Sequence, residues 1–518
     1  VEVFPQWLAK AAARGRFIMV LDALNQLEDK DNAPDLGWLP GFFPENVRVI
    51  LSTLTAKTEK GFTAENAEGA EKQTEKERDS KAKNAEGAEE QVWRRPWEAL
   101  KKRGWQVLNV ELLEEGERQI LVEKYLARFS RKLSQKDTDT IVSAKQTSNP
   151  LYLKALLDEL RVYGDHETLD KRINHYLAAE TVDDLYEKVL ERLERDYEQE
   201  RKGLVSEAMS LIWASRRGLS ETELLELLGK DNEPMPRAYW SPLYLALEES
   251  LVSRSGLLTF FHDYLRKAVE DRYFKDDASQ KTFHLRLADY YEKRETDDRK
   301  ADELPWQLRE AEKWERLKDC ITNLDMFHKL MTETKRYELT GYWLSLGDLY
   351  DMVESYQSSL QQYEKTSPTE EILAFNYHVA AFFLHMNACY EDAEMLYCKA
   401  VEGRKKVLGE EHPDTALSLA NLACVLSAKG DYAGAEPLCR RALEIRKKVL
   451  WEEHPDTVTS INNLAVLHHR MGDYVEAEPL YRRVLEINEK VMGKEHPDTA
   501  GSLNNLAFLL YSKGDYAG

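Results

Sequence analysis

The sequence has no apolar run long enough to cross a membrane, and no segment at its start resembles a signal peptide. A membrane-spanning helix needs roughly 18 or more consecutive apolar residues, and a signal peptide needs a basic start followed by an apolar stretch. Cysteine is scarce, with five in 518 residues and no CxxC pair. This odd number argues against a disulfide framework or a zinc site and favours reduced thiols, as in a cytosolic protein. The five are Cys320, Cys389, Cys398, Cys424 and Cys439.

The sequence also lacks an excess of basic residues. It has 72 Lys and Arg against 93 Asp and Glu, so its net charge is −21. Because nucleic acids bind to positively charged surfaces, this balance makes them poor partners. A length of 518 residues suggests three or four domains, since a domain takes about 150 residues.

The two ends of the sequence suggest a fragment. The chain begins at Val1 without a methionine and stops at Gly518 in the middle of a repeat. We therefore expect that it is part of a longer protein.

An internal repeat with a period of 42 residues fills the last part of the sequence. Within it, Thr415–Lys429 and Tyr432–Val449 carry apolar residues at helical spacing. Glycine suits the turn between two antiparallel helices, and proline suits the first turn of the next helix. The period therefore predicts a stack of helical hairpins. Its markers are HPDT at His412, His454 and His496, and GDY at Gly430, Gly472 and Gly514.

This repeat resembles the tetratricopeptide repeat, and its long period is like that of kinesin light chain and nephrocystin. The resemblance covers about Glu370 to Gly518, with a weaker first copy around Tyr390 to Ala400. The usual proline after the second helix is missing, so we expect that helix to be longer. The matching small and large residues are Leu419, Leu422, Ala423 and Leu426 in the first helix, and Ala435, Cys439 and Ala442 in the second.

Two apolar runs near the start of the chain predict buried strands. Phe17–Leu21 ends at Asp22, and Val47–Leu51 is followed by Ser52 and Thr53. Continuous apolar runs are typical of parallel strands that are covered on both faces. A third strand is predicted at Trp105–Val110. The charged, repetitive segment Lys57–Glu90 is predicted to be a solvated helix or a disordered insertion without function.

The middle of the chain has the outline of a winged helix. Two helices are predicted in Leu204–Lys230, the second opened by a capping box of Ser220 and Glu223. A short hairpin follows, and then a helix from His262 to Phe274. The hairpin strands are Leu251–Ser253 and Leu257–Phe261, and further helical stretches are Glu114–Leu133, Asn149–Tyr163 and Phe283–Asp348.

Most of residues 1 to 345 resembles the NACHT-type ATPases of the STAND class of signalling NTPases, which includes nephrocystin. The resemblance implies that Asp22 is the Walker B acid, which would hold Mg²⁺ through water, and that Ser52 and Thr53 are at the sensor position. It implies that Pro150 belongs to the motif near the adenine and that His262 contacts the ADP β-phosphate. From the pattern alone, Asp22 could equally cap a loop and His262 could be a hydrogen-bonded imidazole at a helix start. The matching segments are Phe17–Leu27, Val47–Leu54, Leu112–Leu133, Ser148–Gly164, Leu257–Tyr273 and Glu303–Phe327.

The sequence departs from that family at three places. Asn25 and Gln26 replace a second acidic residue, and Leu54 replaces an arginine. Without a base to orient water, hydrolysis would be slow or absent. No GxxxxGK[ST] phosphate loop occurs, and it would lie before Val1. We expect ATP or ADP with Mg²⁺ to bind to the intact protein, and not tightly to residues 1–518.

Asparagines recur at one place in the first helix of each repeat, at Asn421, Asn463 and Asn505. In tetratricopeptide adaptors an asparagine at this place often hydrogen-bonds the backbone of an extended peptide. The alternative is a polar residue tolerated on a helix surface. Val379 stands there in the weaker copy, so the groove should weaken at that end.

Two other polar sets recur in the repeats. Arg441 and Arg483 belong to Arg-Arg pairs on the second helices and either attract an acidic peptide or form a solvated face. The three HPDT histidines belong to different repeats, and neighbouring helices lie about 8–10 Å apart. They therefore cannot share a metal ion, and a helix start with proline in the first turn explains them.

The sequence thus predicts a mainly α protein with a truncated α/β NTPase core, a winged helix, a helical connector and an α-solenoid. The predicted function is a nucleotide-dependent switch, in which nucleotide bridges core and winged helix and a protein or peptide on the repeats biases opening. The alternative is a kinesin-light-chain-like scaffold with a vestigial NTPase core. We expect a cytoplasmic protein without membrane or nucleic-acid contacts, and nucleotide-driven homo-oligomers are compatible with the switch. The predicted boundaries are 1–56 for the truncated core, 57–92 for the insertion, 93–200 for the end of the core with a helical segment, 201–278 for the winged helix, 279–369 for the connector and 370–518 for the repeats.

Overall fold

The computed structural model describes residues 17–21, 36, 39, 47–52, 95, 98–103, 111–163, 168–231, 233–494 and 496–514. The chain divides into two compact units, Val1–Glu111 and Leu112–Gly518. Asp22, Thr53, the predicted strand Trp105–Val110 and the predicted insertion 57–92 lie outside the described residues.

The first unit contains two parallel strands, as the sequence predicted. β1 spans Phe17–Leu21 and β2 spans Val47–Leu51, and the two pair residue for residue. The expectation that both faces are covered is wrong, because Ile18 and Ile50 are 66% and 57% exposed. Successive side chains of a strand point to opposite faces. A continuous apolar run therefore does not by itself show that both faces are buried.

Five helices open the second unit. They are α1 (Glu115–Ala127), α2 (Gln135–Ser143), α3 (Pro150–Val162), α4 (Leu169–Leu177) and α5 (Val182–Tyr197). The predicted helix to Leu133 is too long, because the chain leaves the helix after Ala127 and Ser130 adopts a left-handed conformation with φ of 56°. The helix after Asn149 is as predicted. The Asn149 side chain accepts hydrogen bonds from the backbone N–H groups of Leu151 and Tyr152, which caps α3.

The next elements occur in the order that the sequence predicted. Three helices precede a two-stranded antiparallel hairpin, where the sequence predicted two, and a helix follows the hairpin as predicted. Ser220 and Glu223 form the predicted capping box. The elements are α6 (Leu204–Ala214), α7 (Glu221–Leu227), α8 (Arg237–Leu247), β3 (Leu251–Arg254), β4 (Leu257–Phe260) and α9 (Asp263–Tyr273). We call α6 to α9 the hairpin region, and its assignment as a winged helix stays a prediction.

Six helices form the connector between the hairpin region and the repeats. They are α10 (Asp277–Glu292), α11 (Asp298–Glu310), α12 (Trp314–Thr322), α13 (Leu324–Leu330), α14 (Arg336–Leu346) and α15 (Met352–Glu364). Large aromatic side chains fill the core here. The ring of Phe327 in α13 lies 4.7 Å from that of Tyr356 in α15 and 5.8 Å from that of Phe383 in the next helix. These contacts join the connector to the first repeat.

A buried carboxylate ties the hairpin region to the connector. Glu303 in α11 is fully buried and accepts hydrogen bonds from the backbone N–H groups of Arg216 and Arg217 at 3.2 and 3.1 Å. Arg299 lies one turn earlier and pairs with it at 2.8 Å, and Gln307, one turn later, donates to it at 2.9 Å. Because a buried charge is costly unless it is paired and hydrogen-bonded, the turn between α6 and α7 is held against α11.

The repeats form antiparallel helical hairpins with the predicted period. Gly430 ends the first helix of one repeat in a left-handed conformation with φ of 85°, where glycine is favoured. The second helix Tyr432–Val449 has the predicted bounds and runs for 18 residues, as expected from the missing proline. The first helices are α16 (Glu370–Met386), α18 (Pro413–Lys429), α20 (Pro455–Arg470) and α22 (Pro497–Lys513), and the second helices are α17 (Tyr390–Leu408), α19 (Tyr432–Val449) and α21 (Tyr474–Val491).

All five cysteines are among the described residues, and each is a free thiol. Burial raises the pKa of Cys439 to about 12, so this thiol stays protonated and unreactive at neutral pH. Within the part of the chain that the structure describes, no helix is long and apolar enough to span a membrane.

The Glu303 junction predicts a large loss of stability on truncation. Glu303→Ala leaves two backbone N–H groups without their acceptor, whereas Arg299 keeps a second carboxylate, that of Glu223, at 3.0 Å. Each buried donor left unsatisfied costs about 1–3 kcal/mol. We expect the urea unfolding transition of the second unit to move to lower urea by a corresponding amount. Glu333→Ala removes an exposed carboxylate and should leave the transition unchanged. Equal shifts in the two variants would contradict the proposed contribution of the Glu303 junction to stability.

Candidate peptide-binding groove

The residues predicted for nucleotide binding are dispersed over both units. Ser52 follows β2 in the first unit, where its backbone N–H donates to the carbonyl of Leu21 at 3.0 Å. In the second unit, Pro150 occupies the first turn of α3, and His262 precedes the first residue of α9. The ring of His262 lies 4.4 Å from that of Phe261. With Asp22 and Thr53 outside the described residues, the nucleotide site stays a prediction.

Three of the described first helices, α18, α20 and α22, are each capped by a histidine, whereas Thr369 caps α16. The ring Nδ1 accepts a hydrogen bond from the backbone N–H of the residue two positions later, and proline occupies the first helical position. This geometry satisfies a backbone donor that the helix itself leaves unpaired. The distances are 3.1 Å for His412 and Asp414, 3.2 Å for His454 and Asp456, and 3.2 Å for His496 and Asp498. Among the residues that the structure describes, no cluster of three or more His, Cys, Asp or Glu could hold a metal ion.

Near the end of each second helix, where Arg404 and Arg446 are buried and Asn488 is half-buried, a polar side chain holds the first helix of the next repeat. It donates to a serine hydroxyl and to a backbone carbonyl of that helix. Arg404 and Arg446 are 6% and 3% exposed, and this burial lowers the pKa of both guanidinium groups. The distances are 2.7 Å from Arg404 to Asp414 O and 2.8 Å to Ser418, 2.9 Å from Arg446 to Asp456 O and 2.7 Å to Ser460, and 3.4 Å from Asn488 to Asp498 O and 2.8 Å to Ser502.

The three predicted asparagines lie at equivalent places on α18, α20 and α22, and each is partly exposed. Their hydrogen bonds differ. The amide nitrogen of Asn421 lies 3.5 Å from Nε2 of His378, and that of Asn505 donates to the side-chain oxygen of Asn462 at 3.1 Å. No hydrogen bond from any described residue reaches the side chain of Asn463. The structure therefore brings the three residues into one row, in which Asn421 and Asn505 have different partners and Asn463 has none among the described residues.

His378 is the buried residue beneath this row. Its Nδ1 lies 3.0 Å from the hydroxyl of Ser418. Burial, and then the nearby guanidinium of Arg404, lower the pKa of His378 to about 3, so the ring is neutral at pH 7. When Nε2 accepts from Asn421, the ring proton sits on Nδ1 and is donated to Ser418. The imidazole thus connects the first helix of the weaker copy to the row of asparagines.

The two predicted arginines lie on second helices, away from the helices that carry the asparagines, and they are ion-paired. Each bridges an acid on its own helix and an acid before the first residue of a first helix. The distances are 2.6 Å from Arg441 to Glu411 and 2.9 Å to Glu444, and 3.0 Å from Arg483 to Glu452 and 2.6 Å to Glu486. These pairs favour the solvated-face alternative, and a role in peptide binding stays a prediction.

Sequence reasoning missed Arg470, a basic residue on the asparagine-bearing helices. It ends α20, and its guanidinium donates to the hydroxyl of Ser427 on the preceding first helix at 3.2 Å. No carboxylate among the described residues forms an ion pair with it. A signal was present, because the equivalent positions in the neighbouring repeats hold Ala428 and Ser512. A cation that interrupts a regular repeat could have been singled out.

The buried neutral His378 predicts acid sensitivity at the junction of α16 and α18. Its folded pKa of about 3 lies below the unfolded value of about 6.5, so the unfolded state binds the proton more readily. Its contribution to stability is complete above about pH 6.5 and falls as pH drops toward 3, by about 1.4 kcal/mol per pH unit. We expect the urea midpoint of the wild type to drop more between pH 7 and 5 than that of His378→Gln. Burial also lowers the pKa of His175, but this residue is exposed, so His175→Gln should reduce the dependence far less than His378→Gln. Identical dependence in all three proteins would contradict the assignment.

Comparison with known proteins places the repeats in a family. The tetratricopeptide repeat family model matches residues 371–448 and 456–517. A TPR repeat-containing protein of Dictyostelium discoideum is 34% identical over 349 residues, which are 66% of this chain and 19% of that protein. Human nephrocystin-3 is 26% identical over 444 residues, 82% of this chain and 30% of its own. NACHT and WD repeat domain-containing protein 2 of mouse is 26% identical over 313 residues, 56% of this chain and 16% of its own.

A solved STAND protein with a tetratricopeptide repeat sensor, from Pyrococcus horikoshii, aligns with 79% of this chain and 59% of its own at a TM-score of 0.33 and 16% identity. The chain spans about a fifth of the length of the Dictyostelium relative and less than a third of nephrocystin-3. The predicted resemblance to nephrocystin-like NACHT proteins is confirmed. Residues 371–448 and 456–517 belong to the tetratricopeptide repeat family, within a chain that is similar to nephrocystin-3 over most of its length.

Proposed function

We propose that the row formed by Asn421, Asn463 and Asn505 binds an extended peptide of a partner protein. The observation that carries this proposal is their equivalent placement on three successive first helices, each partly exposed. An extended peptide has backbone N–H and C=O groups that it cannot satisfy by itself, and a carboxamide can donate to one and accept from the other. We call the surface formed by these first helices the groove.

The charge of the groove supports a ligand that carries a carboxylate. After their first turns, α18, α20 and α22 contain no acidic residue, although the whole chain has a net charge of −21. Lys429 and Lys513 pair with Glu394 and Glu478, whereas no carboxylate of the described residues pairs with Arg470. A guanidinium without a counter-ion favours an anionic group of a ligand, because charge-assisted hydrogen bonds are stronger than neutral ones.

For the groove, the experiment is selection of a random 12-residue peptide library on the immobilised chain. We expect peptides with an acidic residue to be enriched, and a selected, fluorescein-labelled peptide to bind Arg470→Gln about tenfold more weakly, since a charge-assisted hydrogen bond is worth about 1.5 kcal/mol. Arg441→Gln is the matched control, because it removes a guanidinium that already has two acidic partners. A larger loss for Arg441→Gln would instead place the ligand on the second helices, and failure to select any peptide would contradict the function.

We also propose that the repeats act as the sensor of a nucleotide-dependent switch. Similarity to nephrocystin-3 over 82% of the chain supports this. In the switch, ATP or ADP with Mg²⁺ binds to the NTPase region, nucleotide exchange carries the signal, and the occupied groove biases the exchange. Its nucleotide residues would be Asp22, Ser52, Thr53, Pro150 and His262. The same proposal includes ATP hydrolysis that is at most slow, a cytoplasmic location and nucleotide-driven homo-oligomers. The second candidate is a scaffold whose NTPase region binds no nucleotide.

Nucleotide content of the full-length protein separates the two candidates. The switch predicts that ADP is released when the purified protein is denatured, at about one equivalent, and that His262→Ala purifies with much less. The exposed His175→Ala is the control and should retain the wild-type amount. Absence of nucleotide from the wild type would favour the scaffold, and equal amounts in all three proteins would remove His262 from the site.

A further inference from the structure

The residues that face the row of asparagines from the preceding first helix are not equivalent in chemistry. Asn421 and Asn505 each bond to a residue 43 positions earlier, His378 and Asn462. The same step from Asn463 leads to Ala420. Alanine has no polar side-chain atom, so at this junction the residue at the equivalent position cannot hold the amide. The 42-residue repeat thus keeps the three asparagines in one row, while the residue that faces each asparagine differs.

This difference decides how many hydrogen-bonding groups of each amide are available to a ligand. A carboxamide has two N–H donors and one acceptor oxygen. In Asn421 and Asn505 one N–H is already engaged, and each amide is turned toward the preceding helix. To turn it to a ligand would break that bond, and the protein partner would lose its own hydrogen bond as well. The side chain of Asn463 can turn without such a loss and keeps its full capacity.

The surroundings of Asn463 fit the same ligand. Val466 and Arg470 lie three and seven residues further along α20, on the same side of the helix. Val466 is partly exposed, and Arg470 is exposed. An amide without a hydrogen-bond partner, a small apolar side chain and a cation without an ion pair, as judged among the described residues, thus follow each other along one helix. An extended peptide with an apolar residue and a carboxylate matches this order.

We propose that Asn463 is the residue that fixes the backbone of the bound peptide, and that Ala420 makes it available. Asn421 and Asn505 keep the neighbouring first helices in place and contribute less to binding. This inference rests on the proposed peptide-binding function, and it adds a ranking of three residues that are equivalent in the repeat pattern.

The test uses the fluorescein-labelled peptide selected on the wild-type chain, with its affinity measured by anisotropy. We expect about a tenfold loss for Asn463→Ala, and less than threefold for Asn421→Ala and for Asn505→Ala. Ala420→Asn copies the arrangement of Asn462 and Asn505, so it should weaken binding several-fold by engaging Asn463. In a double-mutant cycle, Ala420→Asn should have no further effect once Asn463 is alanine. Ala433→Asn, at an exposed position on α19, is the control for an added asparagine and should bind like the wild type.

Ala420 is buried, with 2% exposure, so Ala420→Asn could disturb folding. Asn462→Ala tests the same idea by truncation, because it frees Asn505 from its partner. In that background, Asn505→Ala should cost more affinity than it does in the wild type. Equal losses at the three asparagines, or an unchanged cost of Asn505→Ala, would overturn the inference and leave the peptide-binding function standing. If no peptide can be selected on the wild-type chain, the proposed function itself fails, and the inference fails with it.

Discussion

A polar side chain near the end of each second helix fixes the first helix of the next repeat, and the arrangement of the array depends on this contact. In Arg404 and Arg446 the buried group is a guanidinium that donates to a serine hydroxyl and a backbone carbonyl. Hydrogen bonds of charged groups contribute about 1.5–3 kcal/mol, and a buried charge without them would cost far more. The two helices are therefore held in one relative position. Asn488 repeats the contact with a shorter, neutral group, which makes the last described junction the weakest of this type.

Because these contacts repeat every 42 residues, equivalent residues of successive first helices fall into rows along the array. The groove is a consequence of this regularity, and its selectivity comes from departures from it. His378, Ala420 and Asn462 occupy one repeat position, yet only two of them can hold the asparagine on the next helix. Arg470 likewise stands where the neighbouring repeats have Ala428 and Ser512. A regular scaffold with a few substituted positions can thus recognise a ligand at one place.

The connector links the helices of the groove to the hairpin region through continuous contacts. Glu303 and Gln307 hold the turn between α6 and α7, and Arg216 of that turn pairs with Glu338 of α14 at 2.9 Å. Aromatic packing of Phe327 against Tyr356 and Phe383 continues the contact into α16. Close-packed interiors transmit displacement, so a ligand that moves the first helices would act on the hairpin region. This continuity is the structural reason to retain the switch beside the scaffold.

The sequence alone determined the elements that short-range chemistry controls. Local pattern was enough to predict the period of 42, the proline-led first helices, the bounds Tyr432–Val449 and the capping box at Ser220, because helix caps, glycine turns and apolar spacing act within a few residues. Tertiary structure decided what those patterns leave open. Residues from distant parts of the chain decide the partners of Arg441, the neutral state of His378 and the buried role of Glu303. The exposure of Ile18 likewise depends on how strands pack and not on the strand's own sequence. Which of three equivalent asparagines is free is a question of this second kind, since its answer lies 43 residues away on the neighbouring helix.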